Sequence, residues 1–170
     1  MSHVPDSEDR EELARLSHEL FEHELRPRLQ PTIVELLFAH RDCGHTVVLA
    51  TSATSFQADP VAAALGIDRV LCNRLEVDEH GKLTGRVQPP VVWAEGKARA
   101  IRDEAQARGI ALGKSFFYAD GGEDVSSMYL VGHPRPVNPT WRMRQAARRR
   151  GWPVIEPAQH PAAPPSLFRA

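Results

Sequence analysis

Apolar positions along the chain recur at two spacings, and the switch between them lays out an order of helices and strands. Over residues 7–25, Leu13, Leu16 and Leu20 follow one another at intervals of four and three, with Phe21 alongside, the signature of one helix face. Pro27 and Pro31 bracket a short link. A second helix is predicted to follow, with Ile33, Leu36 and Leu37 inward, stopping by Gly44 as a left-handed cap. Residues 46–51, TVVLAT, are a continuous apolar, β-rich run, the pattern of a parallel strand buried on both faces. SATSFQADP then reads as a polar loop, with Pro60 in the first turn of a helix that runs through Leu65 to Gly66.

Farther on, DRVLCN reads as a short strand. LEVDEHGKLTGRV alternates on either side of a turn at Asp78–Gly81, which predicts a β-hairpin. Residues 96–108 are rich in alanine, lysine and arginine, with Ile101 and Ala105 inward; they predict a helix closed by Gly109. SFFY, residues 115–118, is the next buried strand, and Asp124 to Leu130 a short helix. Pro134 and Pro136 break the chain before a brief strand at Val137-Asn138. Pro139 opens a last helix that ends at Gly151, and Trp152 to Ile155 forms a closing strand. Alternating strands and helices predict an α/β layered domain.

Composition narrows the class. The chain has 170 residues, 42% hydrophobic and 25% charged, which suits one soluble domain with its own core. A formal net charge of -1 gives no global attraction to nucleic acid or an anionic membrane. The arginines at 142, 144, 148, 149 and 150 wrap around their helix rather than sharing one face, so nucleic acid is not an expected partner. Cys43 and Cys72 have neither metal-ligand nor disulfide-framework spacing. No apolar run approaches a membrane span, and the first residues lack a signal-peptide core; cytoplasm is the expected compartment.

Candidate chemistry follows from a rule of open α/β sheets, in which ligands sit outside the carboxyl ends of strands. The rule selects Thr51 and Ser52 after VVLA and Asp120 after FFYA; Lys97 stands near a helix start. A hydroxyl with neighbouring N–H groups can hold phosphoryl oxygens, and a lysine supplies positive charge. Asp120 and Asp124 are hard oxygen ligands suited to Mg²⁺, and Gly121-Gly122 permits a close turn. Each has a plainer reading: DGGED as an ordinary strand–turn–helix junction, Ser52 as a strand end, Lys97 as a surface lysine.

Five segments, HRDCGHTVVLATSAT (40–54), LGIDRVLCNRLEVDEHGKLTGRV (65–87), EGKARAI (95–101), YADGGEDV (118–125), and VGHPRPVNP with RRRGWPVIEP (131–139 and 148–157), together resemble the haloacid-dehalogenase-like phosphatases, in the subclass similar to phosphoserine phosphatase. The resemblance implies a Rossmann-like parallel sheet with helices on both faces, a partial helical cap and a β-hairpin. It implies Mg²⁺-dependent phosphomonoester hydrolysis of a small phosphorylated molecule. Ser52, or Thr51 if the alignment slips by one, would bind the phosphoryl group; Lys97 would be the catalytic lysine that orients nucleophile and phosphate; Asp120 and Asp124 would be the Mg²⁺ ligands. It also implies a division into residues 1–38, a remnant of the cap with its return helix; 39–157, the core; and 158–170, an irregular proline-rich tail.

One departure is severe. Members of the family open with an apolar strand ending in Asp-x-Asp-x-Thr, whose first acid attacks phosphorus and whose second protonates the leaving group. VPDSEDREE offers Asp6 and Asp9 without such a strand. The expectation is therefore a chain incomplete at its amino end, with the central first strand missing and catalysis impaired or absent. The alternative expectation is a non-catalytic phosphate-ligand-binding or regulatory domain, for which a second copy or another partner chain is a candidate source of the missing strand.

Overall fold

Helix α1 (Ser7–Leu20) forms where the leucine periodicity predicts it, but Leu16 and Leu20 are exposed while Ser17 and Phe21 are buried; it continues as one π-helical turn, Phe21–Leu25, and a 3₁₀ turn, Arg26–Arg28. The computed structural model describes residues 7–79 and 82–157, without the side chains of residues 7–11. Asp6, the side chain of Asp9, the hairpin-turn residues His80 and Gly81, and the tail from 158 to 170 lie outside the described residues. The chain divides into two compact units, one taking in the described residues up to Pro89 and the other those from Pro90 onward.

In the first unit, α2 (Pro31–Asp42) carries proline in its first turn. Its buried residue is Val34, with Leu37 and Phe38 packed beside it; of the expected stripe Ile33, Leu36 and Leu37, Leu37 joins this core and Val34 and Phe38 take the other places. The run IVELLF holds two apolar stripes of equal spacing, and only packing chooses between them. Val34 joins Ala62, Leu65 and Ile67 in the core of this unit, flanked by Leu29, Val47, Leu49, Val61 and Val70. Strand β1 spans Val48–Thr54, starting two residues later than expected and running three residues farther. It pairs in parallel with β2 (Arg69–Asn73), from Val48↔Arg69 to Ala50↔Leu71 and then Thr54↔Asn73. Four steps on β1 thus match two on β2, so β1 bulges at its carboxyl end.

Helix α3 (Ser55–Leu65) begins five residues before Pro60, so SATSFQADP is not a loop. The Thr54 N–H donates to Gln57 Oε1 (3.2 Å), part of a capping box that starts the helix early. Pro60 lies inside α3 and costs the helix one backbone bond. Strands β3 (Leu75–Val77) and β4 (Leu83–Val87) form the predicted antiparallel hairpin.

In the second unit, α4 (Glu95–Arg108) ends at Gly109, which adopts φ 65°. Strand β5 (Phe116–Ala119) pairs in parallel with β6 (His133–Pro136), in register from Phe116↔His133 to Ala119↔Pro136. The two prolines expected to break the chain are part of β6. The His133 N–H donates to the Ser115 carbonyl and that of Val137 to Ala119 (3.0 and 2.9 Å). Positions 134 and 136 alternate with these donors, so their missing N–H groups face away from β5 and cost no ladder bond. Short α5 (Val125–Met128) follows β5, and α6 (Trp141–Arg150) closes the unit. Ile155 makes a bridge to Val137 rather than a full strand. Of the α6 arginines, Arg144 pairs with Glu156 (2.6 Å) and Arg150 lies over the Tyr129 ring.

The protein is thus an α/β fold with two parallel strand pairs flanked by helices and one antiparallel hairpin. Among the described residues the strands pair as three two-stranded ladders, a partial form of the Rossmann-like sheet that the resemblance implies. Among the described residues β1 has no ladder partner other than β2, and β5 none other than β6. No described helix is long and apolar enough to cross a membrane.

The turn into α4 is strained. Ala94 sits at φ 44°, ψ -117°, a region that suits glycine. Gly96 passes so close to the Val91 carbonyl that a Cβ would lie 2.0 Å from its oxygen. We expect Ala94→Gly to raise folding stability by about 1 kcal/mol by relieving the backbone. Gly96→Ala should lower it, and urea denaturation midpoints of the two variants will show opposite signs.

Candidate active site

Lys97 stands in the first turn of α4, directly after the strained turn. The Trp93 carbonyl accepts both the Gly96 N–H (2.7 Å) and the Lys97 N–H (3.3 Å), so a single oxygen anchors the start of the helix. The Lys97 side chain is not the surface lysine of the plainer reading: the residue is 4% exposed. Its Nζ lies 2.6 Å from Oδ1 of Asp124, itself 6% exposed. The structure therefore brings together two of the five residues singled out in the sequence.

Asp124 closes a 3₁₀ turn, Gly122–Asp124, between β5 and α5. Three contacts set its position. The Asp120 carbonyl accepts both the N–H and the hydroxyl of Thr140 (3.0 and 3.1 Å), tying the loop to the start of α6. The Asp124 N–H donates to the Gly121 carbonyl (3.1 Å). The stem of Arg142 packs so tightly on Gly122 that a Cβ there would lie 2.8 Å from it. Asp120 itself is exposed and takes no part in the ion pair.

Burial pushes the Asp124 carboxyl above its ordinary range; the Lys97 ammonium pulls it back, while Glu123 and Asp120 push it up further. Desolvation wins because a buried carboxylate needs several well-aimed donors to replace its water shell. Asp124 Oδ1 is close to Nζ, yet it meets no partner at hydrogen-bonding angles. The hydroxyls of Ser126 and Ser127 are likewise buried without partners. No group of three or more metal-ligating side chains occurs among the described residues. Mg²⁺ commonly uses only one or two protein carboxylates and completes its octahedron with water and phosphate. A buried carboxylate beside two buried serine hydroxyls, with a second acid four residues away, fits that habit.

Thr51 and Ser52 belong to the first unit, in the bulge that ends β1. The Thr51 hydroxyl accepts the Ala53 N–H (3.1 Å), so it closes a local turn. The Ser52 carbonyl accepts Nδ2 of Asn73 (2.7 Å). The Ser52 hydroxyl is engaged in neither bond, which separates the two neighbouring candidates.

Asn73, Ser126 and Ser127 were not singled out in the sequence. An asparagine that ends an apolar strand was the available signal for Asn73. The serines carried none, because SS after DGGEDV reads equally well as an exposed helix start.

A family model described as haloacid dehalogenase-like hydrolase matches residues 3–128. The chain is 31% identical over 147 residues to an "inhibition of morphological differentiation protein" of Streptomyces azureus, covering 86% of this chain and 51% of that protein. It is 32% identical over 143 residues to a phosphoserine phosphatase of Mycobacterium tuberculosis, covering 84% and 46%. It is also 30% identical over 149 residues to a histidinol-phosphatase of Neisseria meningitidis serogroup C, covering 86% and 67%. It thus spans about half the length of the first two relatives. Among solved structures, a Bordetella pertussis Tohama I protein of unknown function superposes with a TM-score of 0.79 at 31% identity, over 90% of this chain and 67% of that one. A substrate-bound phosphoserine phosphatase shares the fold, with a TM-score of 0.59 at 24% identity over 72% and 56%.

Two outcomes test the buried pair. Lys97→Met strands a buried carboxyl and should cost about 3–5 kcal/mol at neutral pH. Combining it with Asp124→Leu should cost less than the single change, as read from a denaturation double-mutant cycle. The second outcome is a pH dependence. A carboxyl raised on folding binds its proton more tightly in the folded chain, so its contribution to stability falls as pH rises. That window opens near the ordinary value of 3.8 and closes at the raised folded value. The stability of the wild type relative to Asp124→Asn should decline through it; a rise would show that Lys97 outweighs burial.

Proposed function

We propose, because this chain belongs to the haloacid dehalogenase-like hydrolase family and to its phosphoserine-phosphatase-like subclass, that its residues serve Mg²⁺-dependent hydrolysis of a small phosphomonoester. The observation that carries the reading is the buried Lys97–Asp124 pair. A structural ion pair of this kind is weak evidence of stability, since burying two charges costs as much as their attraction returns. A site that handles a phosphate dianion and a cation has use for both groups. Lys97 holds positive charge against the phosphoryl group. Asp124, with Asp120 at the loop surface, holds Mg²⁺, which supplies charge neutralisation on the phosphoryl oxygens. Within the first unit, taken by itself, the Ser52 hydroxyl is a candidate donor to an anion, and Thr51 shapes the turn that presents it.

The attacking group is a separate matter. These 170 residues contain no Asp-x-Asp-x-Thr segment. Covalent phosphatase chemistry needs a carboxylate held in line with the leaving group at near-attack distance. We therefore assign to these residues the binding half of the reaction: grip on phosphate and metal, with displacement requiring an acid from a further strand. A second reading rests on the same gap and on the ladder edges of β1 and β5, which have no partner among the described residues. In that reading the chain is a non-catalytic phosphate-ligand or regulatory domain that takes a strand from a partner chain.

Hydrolysis of p-nitrophenyl phosphate in excess Mg²⁺, alongside calorimetry with inorganic phosphate, tests this. We expect binding that weakens when Mg²⁺ is chelated and that Lys97→Met abolishes, with no turnover above buffer. Turnover that Lys97→Met removes would instead place an attacking acid within these residues. Absence of heat at millimolar phosphate would overturn the assignment of a phosphate site.

A further inference from the structure

We infer that Asn73 is a positioning residue whose side-chain amide holds the β1 bulge in the shape that presents Ser52 to an anion. The inference deepens the proposed reading of Ser52 as a phosphoryl ligand and rests on it. Its own support is the backbone. Between Ala50↔Leu71 and Thr54↔Asn73, β1 carries two residues more than β2, so the carbonyl of Ser52 has no place in the ladder. A partly buried carbonyl outside a ladder needs another donor or pays a desolvation penalty. Asn73 Nδ2 supplies that donor at 2.7 Å. Asn73 is 8% exposed, and it is the residue whose backbone resumes the register with Thr54. The side chain thus reaches across from the same point at which the two strands re-join.

The bulge is closed from both sides. The Thr51 hydroxyl takes the Ala53 N–H (3.1 Å) and Gln57 Oε1 takes the Thr54 N–H (3.2 Å). Residues 51, 52 and 54 each have a polar group committed to shaping the loop, and the Ser52 hydroxyl is left out of these bonds. An aspartate at position 73 would keep the shape but, when ionised, could not donate; its oxygen would face the Ser52 carbonyl oxygen and repel it. Protonation would restore one donor. This makes the role separable from mere core filling.

The experiment measures the Kd for inorganic phosphate of the whole chain in Mg²⁺, for wild type, Ser52→Ala, Asn73→Ala and Asn73→Asp. We expect Asn73→Asp to bind about tenfold more weakly than wild type at neutral pH, the loss of one hydrogen bond's worth of alignment. Each Kd is divided by the wild-type Kd at the same pH, which cancels the titration of phosphate itself. The Asn73→Asp ratio should return toward one as the pH falls, while the Asn73→Ala ratio stays constant. In the wild type, where no variant has to fold, ¹⁵N-labelled amide signals of Ser52, Ala53 and the Asn73 side chain should shift together on phosphate titration. An Asn73 signal that stays still, or Asn73→Asp binding with the wild-type Kd while Ser52→Ala is weakened, overturns the inference and leaves the phosphate reading standing. Failure of the wild type to bind, or wild-type affinity in Ser52→Ala, overturns both.

Discussion

A lysine and an aspartate cannot both be taken out of water cheaply, and the second unit is arranged around having done so. Lys97 and Asp124 come from the first turn of α4 and from the loop between β5 and α5. Holding them 2.6 Å apart requires both backbones to be rigid at those points. The strain at Ala94, the close approach of Gly96 to Val91 and the double anchoring of the Asp120 carbonyl by Thr140 all fall within a few residues of the pair. Strain of this kind persists only where surrounding structure over-determines it, and it gathers at functional positions. The buried hydroxyls of Ser126 and Ser127, which meet no partner, fit a cluster shaped for something other than stability.

The first unit solves a different problem with neutral groups. Its parallel pair β1–β2 loses register where β1 meets α3, and side chains replace the missing ladder bonds. Asn73 takes the Ser52 carbonyl, Thr51 takes the Ala53 amide, and Gln57 takes the Thr54 amide. A strand end that would otherwise expose unpaired backbone thus becomes a fixed loop leading into the positive end of a helix, the favoured setting for an anion.

Among the described residues β1 and β5 each have one ladder partner, β2 and β6. Parallel strands are marginal in isolated pairs and gain stability from coverage on both faces and from neighbours on both edges. Lys97 and Asp124 sit on a helix start and a loop whose own backbone bonds hold them in place.

Local sequence was sufficient for element type wherever one period dominated. The leucines of α1, the apolar run of β1, the hairpin alternation and the left-handed glycines at 66, 109 and 151 all announce their structure, because helix, strand and cap depend on contacts within a few residues. The order of motifs likewise pointed to Ser52, Lys97, Asp120 and Asp124. Where two solutions satisfied the same pattern, only packing chose. Val34 rather than Ile33 faces the core of its unit; Thr54 rather than Pro60 starts α3; and Pro134 and Pro136 fit a strand because their missing donors face away from β5. The burial of Lys97, its meeting with Asp124 and the reach of Asn73 to Ser52 join residues 27 and 21 positions apart. No local rule spans such distances; they exist because the chain has folded back on itself.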